Sequence, residues 1–289
     1  MSSLLVCAQP APGHPVAFPQ EGSAFLLNRF SALPQLAAVT PASRLEVRPA
    51  PELVCSGIRE LDALTGGLPR GGLTEICGPA SSGRTSVLVA ALAATTQRQE
   101  ACALVDISDA FDPVSAAAAG VDFERLLWVR CGEKKNPPQR HRDTENTRKN
   151  SEENLRYRLE GPLEQALRVT DLLLQSGGFG MVAIDLGGIP FRNARRIPLT
   201  TWFRFQRAVE NTPTVLLVIA ERACATSCAA LVMNFSPQPS ALSRQVNRPA
   251  HAELLDQIQI EGEILRSRAE RKPVRSATAA FTTRAVRIS

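Results

Sequence analysis

Leu73-Thr-Glu-Ile-Cys77-Gly78-Pro-Ala-Ser81-Ser82-Gly83-Arg84-Thr85-Ser86-Val-Leu-Val-Ala-Ala-Leu92 joins a short apolar run to a glycine-bounded turn and then to a run of helical composition. The glycines let successive backbone N–H groups curl inward, and the helix N-terminus adds its partial positive charge. The pattern is a phosphate cradle, GxxxxGK followed by Ser or Thr, with Arg84 where the lysine is expected. Gly78, Ser81, Ser82, Gly83, Arg84, Thr85 and Ser86 are the candidate contacts to a nucleotide's phosphates, and the Thr85 hydroxyl is a candidate ligand for its Mg²⁺. A Gly/Ser-rich turn before a helix by coincidence is the alternative, and the strand–loop–helix order speaks against it.

On either side, apolar runs of strand length alternate with helical patterns. Strands are predicted at Leu73–Cys77, Ala101–Asp106, Leu126–Arg130, Met181–Leu186, Val215–Ala220 and Ala229–Phe235, and helices at Arg84–Gln97, Pro113–Ala119, Leu163–Ser176 and Thr200–Glu210. Strands apolar on both faces and separated by helices imply an α/β fold with a mainly parallel, twisted sheet covered on each side. Ligands then belong at the carboxyl ends of the strands. The core is expected over residues 49–235. Residues 1–48 read as a partly disordered arm with an amphipathic stretch from Phe25 to Leu36, and residues 236–289 as a C-terminal extension with a basic tail. The segment 133–154 is almost devoid of apolar residues and is expected to be a disordered surface insertion.

The 289 residues are 44% hydrophobic and 21% charged, which suits a soluble globular chain. The whole net charge of +5 resides in residues 262–289, where Arg266, Arg268, Arg271, Lys272, Arg275, Arg284 and Arg287 face only Glu263 and Glu270. Such a cluster suits a phosphate backbone or an acidic protein surface, and equally a solvated tail. Seven scattered cysteines, several inside apolar runs, read as reduced thiols. Cys224 and Cys228 have no second Cys or His pair at zinc spacing, and His14, His141 and His251 are dispersed. The start lacks the pattern of a signal peptide and no run reaches membrane-spanning length, so a cytoplasmic location is expected.

The flanks of the cradle carry a family resemblance. Cys55-Ser-Gly-Ile-Arg-Glu-Leu-Asp-Ala-Leu-Thr-Gly-Gly-Leu-Pro-Arg-Gly-Gly72, continuing into the quoted stretch and then through Cys102-Ala-Leu-Val-Asp106, Phe111-Asp112-Pro113, Gly120-Val-Asp, Glu164-Gln-Ala-Leu and Val182-Ala-Ile-Asp185, resembles the RecA recombinases. The resemblance implies a RecA-like P-loop core, with Asp185 as the acid that orients Mg²⁺ through water and Asp112 placed to hydrogen-bond the base of ATP. It also exposes departures. The family's water-activating glutamate falls on Ser108, and losing such a base typically costs about 10²–10⁴-fold in rate. Arg84 cannot reproduce a lysine's point charge. The base-stacking aromatic falls on Ser115, and the polar sensor of the terminal phosphate on Glu221. ATP and Mg²⁺ are thus expected to bind weakly if at all, with no catalytic residue in place and little hydrolysis.

The family's two DNA-pairing loops are reduced here to Gly187–Pro198 and Glu221–Cys228, too short to line a DNA channel in its manner. Arg192, Arg195 and Arg196, followed by Trp202, Phe203 and Phe205, form a basic-aromatic segment that is a candidate for single-stranded DNA; the alternative packs those aromatics on the sheet. A degraded site, shortened loops, Pro198-Leu-Thr-Thr-Trp202 and the basic tail are similar to the ImuA proteins of bacterial mutagenesis cassettes. That implies a scaffold in damage-induced (SOS) translesion synthesis, with an ImuB-like pseudo-polymerase, an error-prone polymerase and RecA as partners. Residues Arg266, Arg268, Arg271, Lys272 and Arg275 are then the candidate partner or DNA contacts. An active DNA-dependent ATPase or recombinase, a SulA-like division inhibitor and a nucleotide-gated ring of the KaiC or RadA type are the alternatives.

Overall fold

The structure is a computed structural model that describes residues 50–131, 150–237, 257–268 and 277–284. The chain first forms a two-strand antiparallel ribbon, β1 (Leu53–Val54) with β2 (Leu68–Pro69), around a short helix α1 (Arg59–Thr65). Then come β3 (Gly72–Cys77), α2 (Arg84–Gln97), β4 (Ala101–Asp106), α3 (Pro113–Ala118), β5 (Leu126–Arg130), α4 (Asn150–Ser176), β6 (Phe179–Asp185), α5 (Phe191–Ala194), α6 (Leu199–Val209), β7 (Val215–Ala220), β8 (Leu231–Pro237), β9 (Gln257–Ser267) and β10 (Thr278–Arg284). One eight-stranded sheet has the order β10-β9-β8-β3-β7-β6-β4-β5. Neighbours from β8 to β5 run parallel, whereas β9 and β10 return antiparallel on the β8 side. The α/β class and each predicted strand and helix are therefore present.

The two faces of the sheet are buried separately because successive strand side chains point to opposite sides. Leu73, Val105, Val182, Leu216 and Val218 pack under Ala166, Leu174, Trp202, Phe205 and Val209 of α4 and α6. Ile76, Leu104, Ala183, Leu217 and Ile219 pack under Leu61, Val87, Leu88, Ala91, Leu92 and Ala116 of α1, α2 and α3. Fully burying each such Leu, Ile, Val or Phe contributes about 1.5–3 kcal/mol, so this double layer dominates stability. In α6, Trp202 and Phe205 turn inward with rings 6.0 Å apart, while Phe203, Arg204 and Arg207 face out. The basic-aromatic segment is thus split, two aromatics serving the core.

The sheet runs on past residue 235 into the part set apart in the sequence as an extension. Alternating Ile258, Ile260 and Gly262 give β9 an inward face, and Phe281 of β10 stacks edge-on against Phe235 at 6.1 Å. Phe281 is buried, which ties β10 to the core. The insertion expected at 133–154 lies outside the described residues except at its end, since α4 begins at Asn150. Residues 1–48, with Phe25–Leu36, lie outside them as well. Among the described residues no helix is long and apolar enough to cross a membrane, and no three His, Cys, Asp or Glu gather as a metal site.

Candidate functional site

The loop between β3 and α2 sits at the carboxyl end of the parallel strands, beside the ends of β6 and β7. Two of its residues have left-handed backbone, Ser81 (φ 61°) and Gly83 (φ 85°). Gly78 donates to the Ala220 and Glu221 carbonyls at 3.3 and 3.2 Å, which anchors the loop to the end of β7. A Cβ at Gly78 would stand 2.3 Å from Ser82 Oγ and 2.5 Å from the Phe235 carbonyl, and one at Gly83 would stand 2.0 Å from Ile260 Cδ1. Both glycines are therefore required by close approach, and the second is pressed by a residue of β9. Ser82 is fully buried, and its Oγ has no hydrogen-bond partner among the described residues. A glycine-built cradle with an orphaned buried hydroxyl fits a phosphate group.

Arg84 reaches out of the first turn of α2. Its Nη1 donates to the Gly78 carbonyl at 2.6 Å and its Nη2 to the Gly187 carbonyl at 2.7 Å. Asp185, at the end of β6, is buried and accepts from Gly187 N at 2.7 Å. Burial pushes its carboxyl above the usual range and Asp106 beside it pushes the same way, while the Gly187 N–H and Arg84 pull it back. A cation there would relieve that cost; Thr85, the other residue singled out as a cation ligand, is exposed in the first turn of α2. A cavity of about 920 Å³ adjoins Thr85 and Ser86 along the outer side of α2. Ser115 and β10 residues Phe281, Thr282 and Thr283 form part of its wall.

The residues after β4 are arranged by Asp106, which accepts from the backbone N–H groups of Ser108, Ala110 and Phe111 at 3.2, 3.3 and 3.0 Å and from Trp128 Nε1 at 3.3 Å. Ser108 is exposed, and its Oγ would lie 2.0 Å from a Cβ at Gly188, so the turn after β6 abuts it directly. Asp109 is held in the left-handed region (φ 54°), where both carboxylate oxygens accept from Arg130, one of them at 2.6 Å from Nε. Arg130 also lies 5.0 Å over the Trp128 ring. Asp112 caps α3, accepting from Val114 N at 3.2 Å, Ser115 N at 3.1 Å and the Ser115 hydroxyl, which together hold its carboxyl below the usual range.

Arg192, Arg195 and Arg196 are exposed on α5 and the turn behind it. Arg222, after β7, stacks 5.4 Å from the Phe191 ring and joins the two shortened loops. Arg266 and Arg268 sit at the end of β9 and donate to the Thr226 and Ser227 carbonyls, so part of the expected basic tail is ordered strand. Arg271, Lys272 and Arg275 lie outside the described residues. Glu75, buried within β3, accepts from Cys224 N and Ala225 N at 2.7 and 2.8 Å and fixes the loop after β7. Burial pushes the Cys77 thiol up to about 12, so it is unreactive at neutral pH. Gly187, Gly188, Ile260, Thr282, Thr283 and Arg130 escape a reading of the sequence alone; the only signal was a Gly-Gly pair after an apolar strand.

Residues 45–135 match the family model for the RecA N-terminal domain. The chain is similar to Protein RecA of Kineococcus radiotolerans, 34% identical over 142 residues, which is 48% of this chain and 32% of that protein. It is likewise similar to Protein RecA of Trichodesmium erythraeum, 47% identical over 87 residues, 30% of this chain and 23% of that protein. The chain thus spans a third or less of those relatives' length. Its fold is shared with the crystal structure of the RadB recombinase, at a TM-score of 0.51 and 16% identity over 80% of this chain and 95% of that one.

Proposed function

We propose that this chain, whose fold is RecA-like and whose residues 45–135 match the RecA N-terminal domain, is a phosphate-loop platform: an accessory protein of damage-induced mutagenesis, of the ImuA kind, that binds nucleotide weakly and hydrolyses it slowly or not at all. The observation that carries this reading is the surroundings of Ser108. The side chain at the water-activating position has no basic oxygen to offer, and the adjacent carboxylate of Asp109 is engaged by Arg130. If a nucleoside triphosphate binds, the backbone N–H groups of residues 80–86 would hold its phosphates, and Thr85 and Asp185 are the residues that would hold Mg²⁺. Bound Mg²⁺ would supply charge neutralisation at the phosphates.

As a platform, the protein would present the arginines of α5 and the C-terminal basic residues to an ImuB-like pseudo-polymerase, an error-prone polymerase, RecA or DNA. Deleting residues 262–289 would remove β10 and half of β9, so the clean variant substitutes Arg271, Lys272 and Arg275 together. Affinity capture from DNA-damaged cells is expected to recover polymerase subunits with the parent chain and fewer with the triple variant. Recovery of a division protein instead, with no polymerase subunit, would overturn the reading. The names of the relatives favour a second reading, an active recombinase. Phosphate release by the purified chain with and without single-stranded DNA separates the two: DNA-stimulated turnover supports the recombinase.

A further inference from the structure

We propose that Arg84 is an internal latch: its guanidinium ties the turn after β6 to the phosphate loop, so that phosphate ligands and the turn compete for one side chain. This rests on the phosphate-loop reading of residues 78–86 and on no assumption about partners. The two ends of the fork are both in use, on the Gly78 carbonyl at 2.6 Å and on the Gly187 carbonyl at 2.7 Å. The acceptors lie on different segments, one in the loop after β3 and the other beyond β6, 103 residues from Arg84. A planar guanidinium spans such a pair with fixed geometry, whereas a lysine presents a single point charge.

The surroundings are built for the fork. A Cβ at Gly187 would stand 3.1 Å from Nη2 and 3.3 Å from Cζ, and 2.8 Å from Asp185 Oδ1. The missing side chain therefore leaves room for a guanidinium between the turn and Asp185, whose charge Arg84 partly offsets. Gly188, next along the turn, is in turn closed over Ser108. Latched in this way, the turn leads through Ile189, whose N–H donates to Leu186, into α5 and the exposed Arg192, Arg195 and Arg196.

Phosphate oxygens are stronger acceptors for a guanidinium than carbonyls are, because both partners are charged. A di- or triphosphate entering the cradle would draw the fork inward and release the Gly187 carbonyl, with the Gly187 N–H on Asp185 as a remaining tie. The turn and α5 then loosen, so nucleotide and whatever needs the docked turn oppose each other, each weakening the other by the same factor.

Amide hydrogen exchange on the full chain tests this, read at Ile189, Asn193, Ala194, Arg195 and Arg196. With no ligand, Arg84→Ala and Gly187→Ala are each expected to speed exchange there tenfold or more while the amides of β3, β6 and β7 stay as protected as in the parent. Arg84→Lys, which keeps the charge and loses the bridge, is expected to behave in the same way. Adding ATP with Mg²⁺, or pyrophosphate, should speed exchange at those positions in the parent and change nothing in Arg84→Ala. Equal exchange in the parent and in all three variants would overturn the latch, as would slower exchange on adding ATP with Mg²⁺. If no ligand alters the amides of residues 78–86, the phosphate-loop reading fails by itself, and the ligand-free comparison still decides whether Arg84 holds the turn.

Discussion

At the scale of single residues, Ser108 and Asp109 share one turn of backbone in different company, the first exposed and the second held by Arg130. Asp106 still accepts the N–H groups of Ser108, Ala110 and Phe111, so the segment after β4 keeps its course whatever stands at position 108. Restoring a carboxylate there is the obvious repair, and Ser108 is exposed, so a longer side chain has solvent to extend into. Arg84 still stands where a lysine's point charge is needed, so Ser108→Glu is expected to leave phosphate release within a few-fold of background and stability within about 0.5 kcal/mol of the parent. Release raised a hundredfold would mean that the missing base alone limits turnover. A Cβ at Gly188 would come within 2.0 Å of Ser108 Oγ, and this contact has its own readout. Gly188→Ala should cost about 1–3 kcal/mol in urea unfolding, and Ser108→Gly added to it should recover most of that loss; additive losses would show that the two residues do not meet.

At the scale of elements, legibility follows from how local each signal is. Four of the parallel strands, β3, β4, β6 and β7, were readable because each is an apolar run buried on both faces, β5 and β8 because their runs are apolar although β5 is only half-buried at the sheet edge, and the phosphate loop because its glycines, hydroxyls and helix start are contiguous. The alternation of Ile258, Ile260 and Ile264 hinted at β9, but β10 has one bulky residue, Phe281, among Thr and Ala, and its place is decided by Phe235 across the sheet. The four-residue α5 carries too few positions for any periodicity. The roles of Gly187 and Gly188 were hidden because they answer to Arg84 and Ser108, far away in sequence. These facts make the β9–β10 hairpin part of the candidate site, since Ile260 lies on Gly83 and Thr282 and Thr283 wall the adjoining cavity. Ile260→Ala is accordingly expected to cost about 2–5 kcal/mol in denaturant unfolding, the range for emptying a buried isoleucine site. It should also speed amide exchange at residues 82–87. A variant as stable as the parent would place the hairpin outside the cooperative core.

At the scale of the whole molecule, the two ends of the sheet bear different burdens. The carboxyl end holds groups whose burial costs stability, among them Asp185 and the Ser82 Oγ, which has no hydrogen-bond partner among the described residues. The opposite end is fastened by an ion network. Arg70 donates to Glu100 at 2.5 Å and to the Pro213 carbonyl at 2.6 Å, Glu52 stands 3.3 Å away, and Arg98 approaches Glu100 at 3.4 Å. The network joins the chain before β1, the turn after β2, the start of β4 and the approach to β7. Arg70 and Glu100 keep only 11% and 24% of their side-chain surface exposed, so solvent screens the pair less than a surface bridge. Burial alone would raise the Glu100 carboxyl, but Arg70 and Arg98 outweigh it and hold the group below the usual carboxylate range. A depressed native value means that the stabilisation is complete above the unfolded pKa, about 4.3, and is lost as the pH falls through the native value. Glu100→Gln is therefore expected to destabilise the chain by about 1.5–3 kcal/mol at pH 7, the range for a hydrogen bond to a charged group. The gap between parent and variant should stay constant from pH 7 to pH 5 and close as the pH drops below about 4. Urea unfolding at pH 7, 5 and 3 measures it, and a gap of the same size at pH 3 would show that Glu100 acts there by shape and not by charge.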